Sequence, residues 1–100
     1  MFTMRLSVAS DRFLTVRAQE GYSPYTIRAY RLQHTMLIRD LGDVDIDTVT
    51  LDQLREHLNH HMNLKPASLG HKVRAIKSLF KWLVEEEYLL RNPTLKLNRS

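Results

Sequence analysis

Apolar residues recur along this chain at three- and four-residue intervals, the spacing that keeps side chains on one face of an α-helix. The clearest case lies between Leu69 and Leu83, where Leu69, Val73, Ile76, Phe80 and Leu83 share a face. Upstream, Phe13, Leu14 and Val16 supply buried positions for a first helix predicted from Ser7 or Ser10 to Glu20, with Gly21 at its stop. Ser23 then offers an N-cap, and Pro24 fills the first helical position, where a missing N–H costs nothing. The helix they open is predicted to run from Pro24 to about Leu41. It carries Ile27, Tyr30, His34, Leu37 and Leu41 on one face, and Gly42 supplies a left-handed stop. Thr50-Leu51-Asp52-Gln53 has the T-x-x-Q form of a capping box and opens a third helix. Leu51, Leu54, Leu58 and Met62 line one side of it, and it ends near Asn63. Lys65-Pro66 breaks the chain before a fourth helix, predicted from Ala67 or Ser68 to about Tyr88 and closed off by Asn92-Pro93.

The one break in helical patterning is Asp43 to Val49, where Val44, Ile46 and Val49 alternate with acidic residues. With nothing nearby to pair with it, the segment reads as an extended loop tucking apolar side chains under the helices. Thr94 to Ser100 reads as a tail leading elsewhere. Four helices with short connections predict an all-α fold, a compact four- to five-helix bundle.

Composition narrows this picture only modestly. One hundred residues make a single domain, with positions 1–97 as its body and 98–100 as the start of a linker. Cysteine is absent, which removes disulfides, thiol catalysis and cysteine-based zinc sites together. A net charge of +4 and a pI near 9.7 favour an anionic partner. The N-terminus is interrupted by Arg5, Asp11 and Arg12, and no apolar run approaches membrane-spanning length, so the expected location is the cytoplasm, with no membrane partner.

Candidate chemistry is sparse. Asp43-Val44-Asp45-Ile46-Asp47 suggests a calcium loop, but Thr48 and Leu54 stand where an EF-hand needs glycine and glutamate. His57, His60 and His61 have i, i+3, i+4 spacing, yet no H-E-x-x-H pattern forms and no cysteine completes a zinc set. They read as surface histidines at a polar helix end, and His34 as a partly buried packing residue. Ser23 and Ser68 read as helix caps rather than nucleophiles, and Glu85-Glu86-Glu87 as a solvated run. Neither catalytic machinery nor a cofactor is expected within this chain.

What remains is charge laid out on helices. Arg74, Lys77 and Lys81 fall within about a quarter-turn of one another and roughly 120° from the apolar stripe of the fourth helix. His71 and Lys72 stand near its start. The second helix opens with Ser23 and Thr26 and carries Arg28, Thr35 and Arg39 along one exposed face. Hydroxyls and free N–H groups at a helix N-terminus suit phosphate oxygens, and two long helices side by side would support a nucleic-acid groove.

The wording of these helices is more specific than their charge. Ser23-Pro24-Tyr25-Thr26-Ile27-Arg28-Ala29-Tyr30 resembles the S-x-x-T-hydrophobic-x-x-Y helix opening of tyrosine recombinases of the phage-integrase and Xer type. Ala75-Ile76-Lys77-Ser78-Leu79-Phe80-Lys81-Trp82-Leu83, followed by Asn92-Pro93, is similar to that family's A-h-R/K-x-h-F-x-Y/W-L…N-P ending. Thr48-Val49-Thr50-Leu51-Asp52-Gln53-Leu54 looks like its I-T-x-x-D-h segment between them. The resemblance spans about residues 10 to 97. It implies the family's N-terminal core-binding, SAM-like domain, a helical bundle that clamps one face of double-stranded DNA. A C-terminal catalytic domain of the same parent protein would clamp the other face, and further recombinase protomers would assemble on the DNA. By the same resemblance Ser23, Thr26 and Arg28 would lie at the DNA end of the second helix and His71, Arg74 and Lys77 on the fourth. Lys72 and Lys81 would contact phosphates. His71 is a departure, since the family often has arginine there. Tyr22, Tyr25, Tyr30 and Tyr88 would not be the recombinase nucleophile, which belongs to the catalytic domain. The alternatives are a stand-alone helical DNA-binding regulator and a helical protein–protein interaction module. The second draws on an apolar strip of Tyr25, Leu32 and Met36, which equally suits packing against the first helix.

Overall fold

Helical periodicity decides the architecture: the computed structural model, describing residues 3–61 and 65–97, builds four α-helices in the predicted order. They are α1 Leu6–Gln19, α2 Pro24–Leu41, α3 Leu51–Asn59 and α4 Pro66–Glu85, with a 3-10 turn Ile46–Thr48 between α2 and α3. The central helix is α2, which packs against α1, α3 and α4, while α1 also lies on α4. Where those helices meet, Phe13 is fully buried. The rings of Tyr30, His34 and Trp82 surround it at centroid distances of 6.1, 5.8 and 5.7 Å, with Trp82 edge-on at 65°. Leu37, Leu54, Ile76, Leu79, Phe80 and Leu83 extend this core through the remaining interfaces.

The predicted caps of α2 and α3 form. Ser23 Oγ accepts from the Thr26 N–H at 3.1 Å, and Gly42 takes φ +87° at the other end of α2. Thr50 Oγ1 accepts from the Gln53 N–H at 3.2 Å while Gln53 Oε1 accepts from the Thr50 N–H at 2.9 Å, the reciprocal pair of a capping box.

Other boundaries differ, each for a local reason. Pro66 is the first residue of α4 because Lys65, restrained by the following proline, is extended at φ −62° and ψ 149°. Ser68 therefore sits inside the first turn and is not a cap. The same helix stops at Glu85 rather than near Tyr88. Glu87 takes φ +65°, and the Tyr88 N–H turns back to the Leu83 carbonyl at 2.9 Å, a Schellman ending built on glutamate instead of glycine. Regular helix in α3 stops at Asn59 rather than near Asn63; Met62 and Asn63 lie outside the described residues.

The loop after α2 has a partner after all. It meets the residues entering α1: the Ile46 N–H donates to the Met4 carbonyl at 2.8 Å and the Leu6 N–H to the Val44 carbonyl at 2.9 Å, around an antiparallel bridge between Arg5 and Asp45. Asp43 is a cap rather than a solvated turn residue. Its carboxylate accepts from the Ser7 N–H at 2.8 Å and the Ser7 hydroxyl at 2.7 Å, satisfying a free donor of the first turn of α1. The segment from Thr94 is likewise no free tail as far as Leu97. Asn92 Oδ1 accepts from both the N–H and the hydroxyl of Thr94, at 2.8 and 2.6 Å, and Thr94 and Leu97 are buried. The predicted linker at 98–100 lies outside the described residues.

Candidate nucleic-acid interface

Packing α2 against α4 leaves an open groove of about 440 Å³ along their exposed seam. Tyr25, Thr26, Leu32 and Met36 line it from α2, and His71 and Arg74 from α4. At its α2 end, Ser23 and Thr26 form a small hydroxyl cluster, Ser23 Oγ donating to Thr26 Oγ1 at 3.0 Å. A second hollow of about 430 Å³ lies on the other flank of α4, lined by Gly70, His71, Arg74, Lys77 and Ser78. His71 and Arg74 therefore stand on a ridge between two depressions. Arg74 and Lys81 are exposed and Lys77 half-buried, so the predicted cationic row sits on the surface beside the apolar face. Arg28 is exposed too, but is not among the residues lining the groove.

Lys72 does not join them. Its residue is only 2 % exposed, and its ammonium donates to Gln33 Oε1 at 2.9 Å, with Met36 Sδ at 3.2 Å. Burial pushes its pKa down, against the opposing pull of the Asp40 carboxylate. The ammonium thus ties α4 to α2 from within the lining of the groove. The helical wheel carried the signal: at 100° per residue Lys72 lies about 160° from Arg74, on the side of Ile76 and Leu79.

The apolar strip of α2 also has a different setting from the packing expected for it. Tyr25 is 75 % and Leu32 58 % exposed, and both face the groove toward α4 rather than packing against α1. The groove thus has an apolar wall on α2 and a cationic rim on α4.

Beneath the groove, His34 fixes the spacing of its two walls. Its Nε2 lies 3.0 Å from the Ala75 carbonyl of α4 and its Nδ1 2.7 Å from Ser10 Oγ of α1. A carbonyl only accepts, so Nε2 carries the proton and the Ser10 hydroxyl donates to Nδ1. Both ring nitrogens are satisfied by the neutral imidazole. Burial lowers its pKa from 6.5 to about 4, outweighing the bond to Ala75, and the charge of Arg31 adds to the shift. Sequence patterning placed His34 on the packed face but gave no sign of its partners.

Of the three histidines at the end of α3, His60 is exposed as expected, but His57 and His61 are drawn inward. His57 is buried, with Nδ1 2.6 Å from Asp40 Oδ2 in the last turn of α2. His61 Nε2 and His60 Nδ1 approach the same oxygen at 3.5 and 3.6 Å. Burial pushes the His57 pKa down against the pull of Asp40. The Asp40 carboxyl is raised by its own desolvation but ends below its ordinary value, because the bond from His57 and the neighbouring imidazoles outweigh that cost. Asp40 was invisible as a partner in the sequence because it belongs to another helix.

Comparisons with known proteins agree with this architecture. A tyrosine recombinase of Agathobacter rectalis is 27% identical over 81 residues, which are 80% of this chain and 26% of the relative, so the chain spans about a quarter of that protein's length. A lambda integrase dimer bound to a COC′ core site superposes with a TM-score of 0.85 at 21% identity, covering 96% of this chain and 36% of the integrase chain. The N-terminal domain of a phage integrase/site-specific recombinase from Haloarcula marismortui superposes with a TM-score of 0.76 at 17% identity, covering 87% of this chain and 88% of that one. The profile described as "Phage integrase, N-terminal SAM-like domain" matches residues 11–87. On that match, which takes in α2, α3, α4 and most of α1, the chain belongs to the family of phage-integrase N-terminal SAM-like domains.

Proposed function

We propose that this chain is the DNA-gripping, core-binding domain of a site-specific tyrosine recombinase working in the cytoplasm. The observation that carries the reading is the surface row of exposed Arg74 and Lys81 and half-buried Lys77 beside the groove between α2 and α4. Phosphates would be met by that row and by the hydroxyls of Ser23 and Thr26 at the α2 N-terminus, with Arg28 on the outer side. His71, on the ridge with Arg74, would meet the DNA beside that row. The lambda integrase structures, one a dimer on a core site and one a tetramer on a Holliday junction, support the same use of this fold. On this reading the domain grips one face of a recombination half-site. A catalytic domain of the parent protein holds the other face and performs strand exchange together with further protomers. Of the described residues, no helix is long and apolar enough to cross a membrane.

Engaging about four to six phosphates gives a log–log salt slope of affinity on the order of −4 to −5. Replacing Arg74 and Lys77 together by alanine is expected to flatten that slope by about 2 and leave the fold intact, read by fluorescence anisotropy with duplex DNA across a salt series and by circular dichroism. An unchanged slope would place the interface elsewhere. The exposed Tyr25 and Leu32 favour one other reading, a protein-docking groove. NMR titration with duplex DNA separates the two: shifts confined to α2 and α4 support the DNA reading, and their absence at low salt sinks it.

A further inference from the structure

We propose that Asp40, His57 and His61 form a binding site for a divalent transition-metal cation of the zinc class. The three residues each offer a ligand atom, and those atoms lie within 4.8 Å of one another. Asp40 Oδ2 is 2.6 Å from His57 Nδ1 and 3.5 Å from His61 Nε2. A tetrahedral ion with bonds of about 2.0–2.1 Å sets its ligands about 3.3 Å apart, between those two separations. Taking up the ion therefore needs shifts of tenths of an ångström in these two separations, closure of the His57–His61 separation from no more than 4.8 Å, and release of the proton that joins His57 to Asp40.

Two further observations point the same way. His61 Nε2 is buried and has no hydrogen-bond partner among the described residues; in the tautomer with its proton on Nδ1 it presents an unmet lone pair that a cation would satisfy. The cluster also sits where two helix C-termini converge. Asp40 is in the last turn of α2, His57 in the last turn of α3, and His61 just past its end. Both macrodipoles present their negative ends to the site, favouring a cation. Imidazole nitrogens and a single carboxylate suit zinc better than calcium or magnesium, and three protein ligands leave the fourth position to water. His60 Nδ1, 3.6 Å from the same oxygen, is more than half exposed and stays outside the ligand set. Lys72 acts electrostatically on both Asp40 and His57, and its like charge opposes a bound cation. The bound ion would pin the end of α3 to α2.

The test uses the whole chain, stripped with chelator and titrated with zinc by calorimetry and with cobalt(II) by visible absorption. The expected result is one ion per chain, a tetrahedral cobalt spectrum and a rise in melting temperature. His61→Ala, at the edge of the core, and Asp40→Asn are each expected to weaken binding at least tenfold while circular dichroism stays helical. No heat and no cobalt spectrum, or undiminished binding in a folded His61→Ala variant, would overturn the site. Loss of binding in His60→Ala alone would overturn the ligand set.

Discussion

At the scale of single residues, two buried polar side chains show how charge and proton position were settled by folding. His34 is neutral because both nitrogens are spoken for and its site excludes water, with its pKa lowered from 6.5 to about 4. Between those values the unfolded chain binds a proton that the folded chain refuses, so stability rises with pH across that window. The difference amounts to roughly 3 kcal/mol of stability lost as pH falls from 6.5 to 4. In urea unfolding at a series of pH values, His34→Gln is expected to remove much of that dependence. His57, also lowered by burial, adds a slope of the same sign. Lys72 makes the opposite point, since a lysine among helix-surface cations was drawn inward to Gln33. Lys72→Met keeps the stem and removes the buried charge. It is expected to change unfolding stability by no more than about 1 kcal/mol and to leave the salt slope of DNA binding unaltered. A flattened slope in that variant would put the ammonium back at the interface.

Among the elements, helix ends divide into those capped by neighbours in the chain and those capped from a distance. Ser23 and Thr50 close the starts of α2 and α3 with donors three residues on, a pattern any reader of the sequence can find. The start of α1 depends instead on Asp43, 36 positions after Ser7, delivered by the loop between α2 and α3. Both bonds from Ser7 hold the Asp43 carboxyl below its ordinary range, so its contribution is present near neutral pH and is lost as pH falls through the lowered value. Asp43→Ala is expected to cost about 1–2 kcal/mol in thermal or urea unfolding at pH 7. Hydrogen exchange should quicken at the first turn of α1 and at the paired backbone of Met4 and Ile46. Protection unchanged in both places would show that the bridge alone fixes α1.

For the molecule as a whole, closure of the core depends on a segment that local pattern assigns to a tail. Leu97 is 1 % exposed, and the Thr94 turn returns it to the core, so Leu97→Ala is expected to cost about 2–4 kcal/mol in unfolding stability. Helix number, order and packed faces were all legible in the sequence. Apolar spacing, Pro24, Gly42 and the Thr50–Gln53 box are local signals, and a helix is a structure of near neighbours. The Arg74, Lys77 and Lys81 row was legible for the same reason, since three positions on one helix fix their own angular relation. Lys72 was within reach of that same wheel and was missed when sign of charge outweighed angle. What no local pattern could supply is which residues of different helices meet. Asp40 with His57, Asp43 with Ser7, and His34 with Ser10 and Ala75 are contacts across elements. The exposed wall of Tyr25 and Leu32 follows from how far apart α2 and α4 pack. Sequence determined the faces, because periodicity is a property of one helix. Tertiary structure alone decided the partners, because a buried polar group takes whatever donor or acceptor the packing brings within about 3 Å.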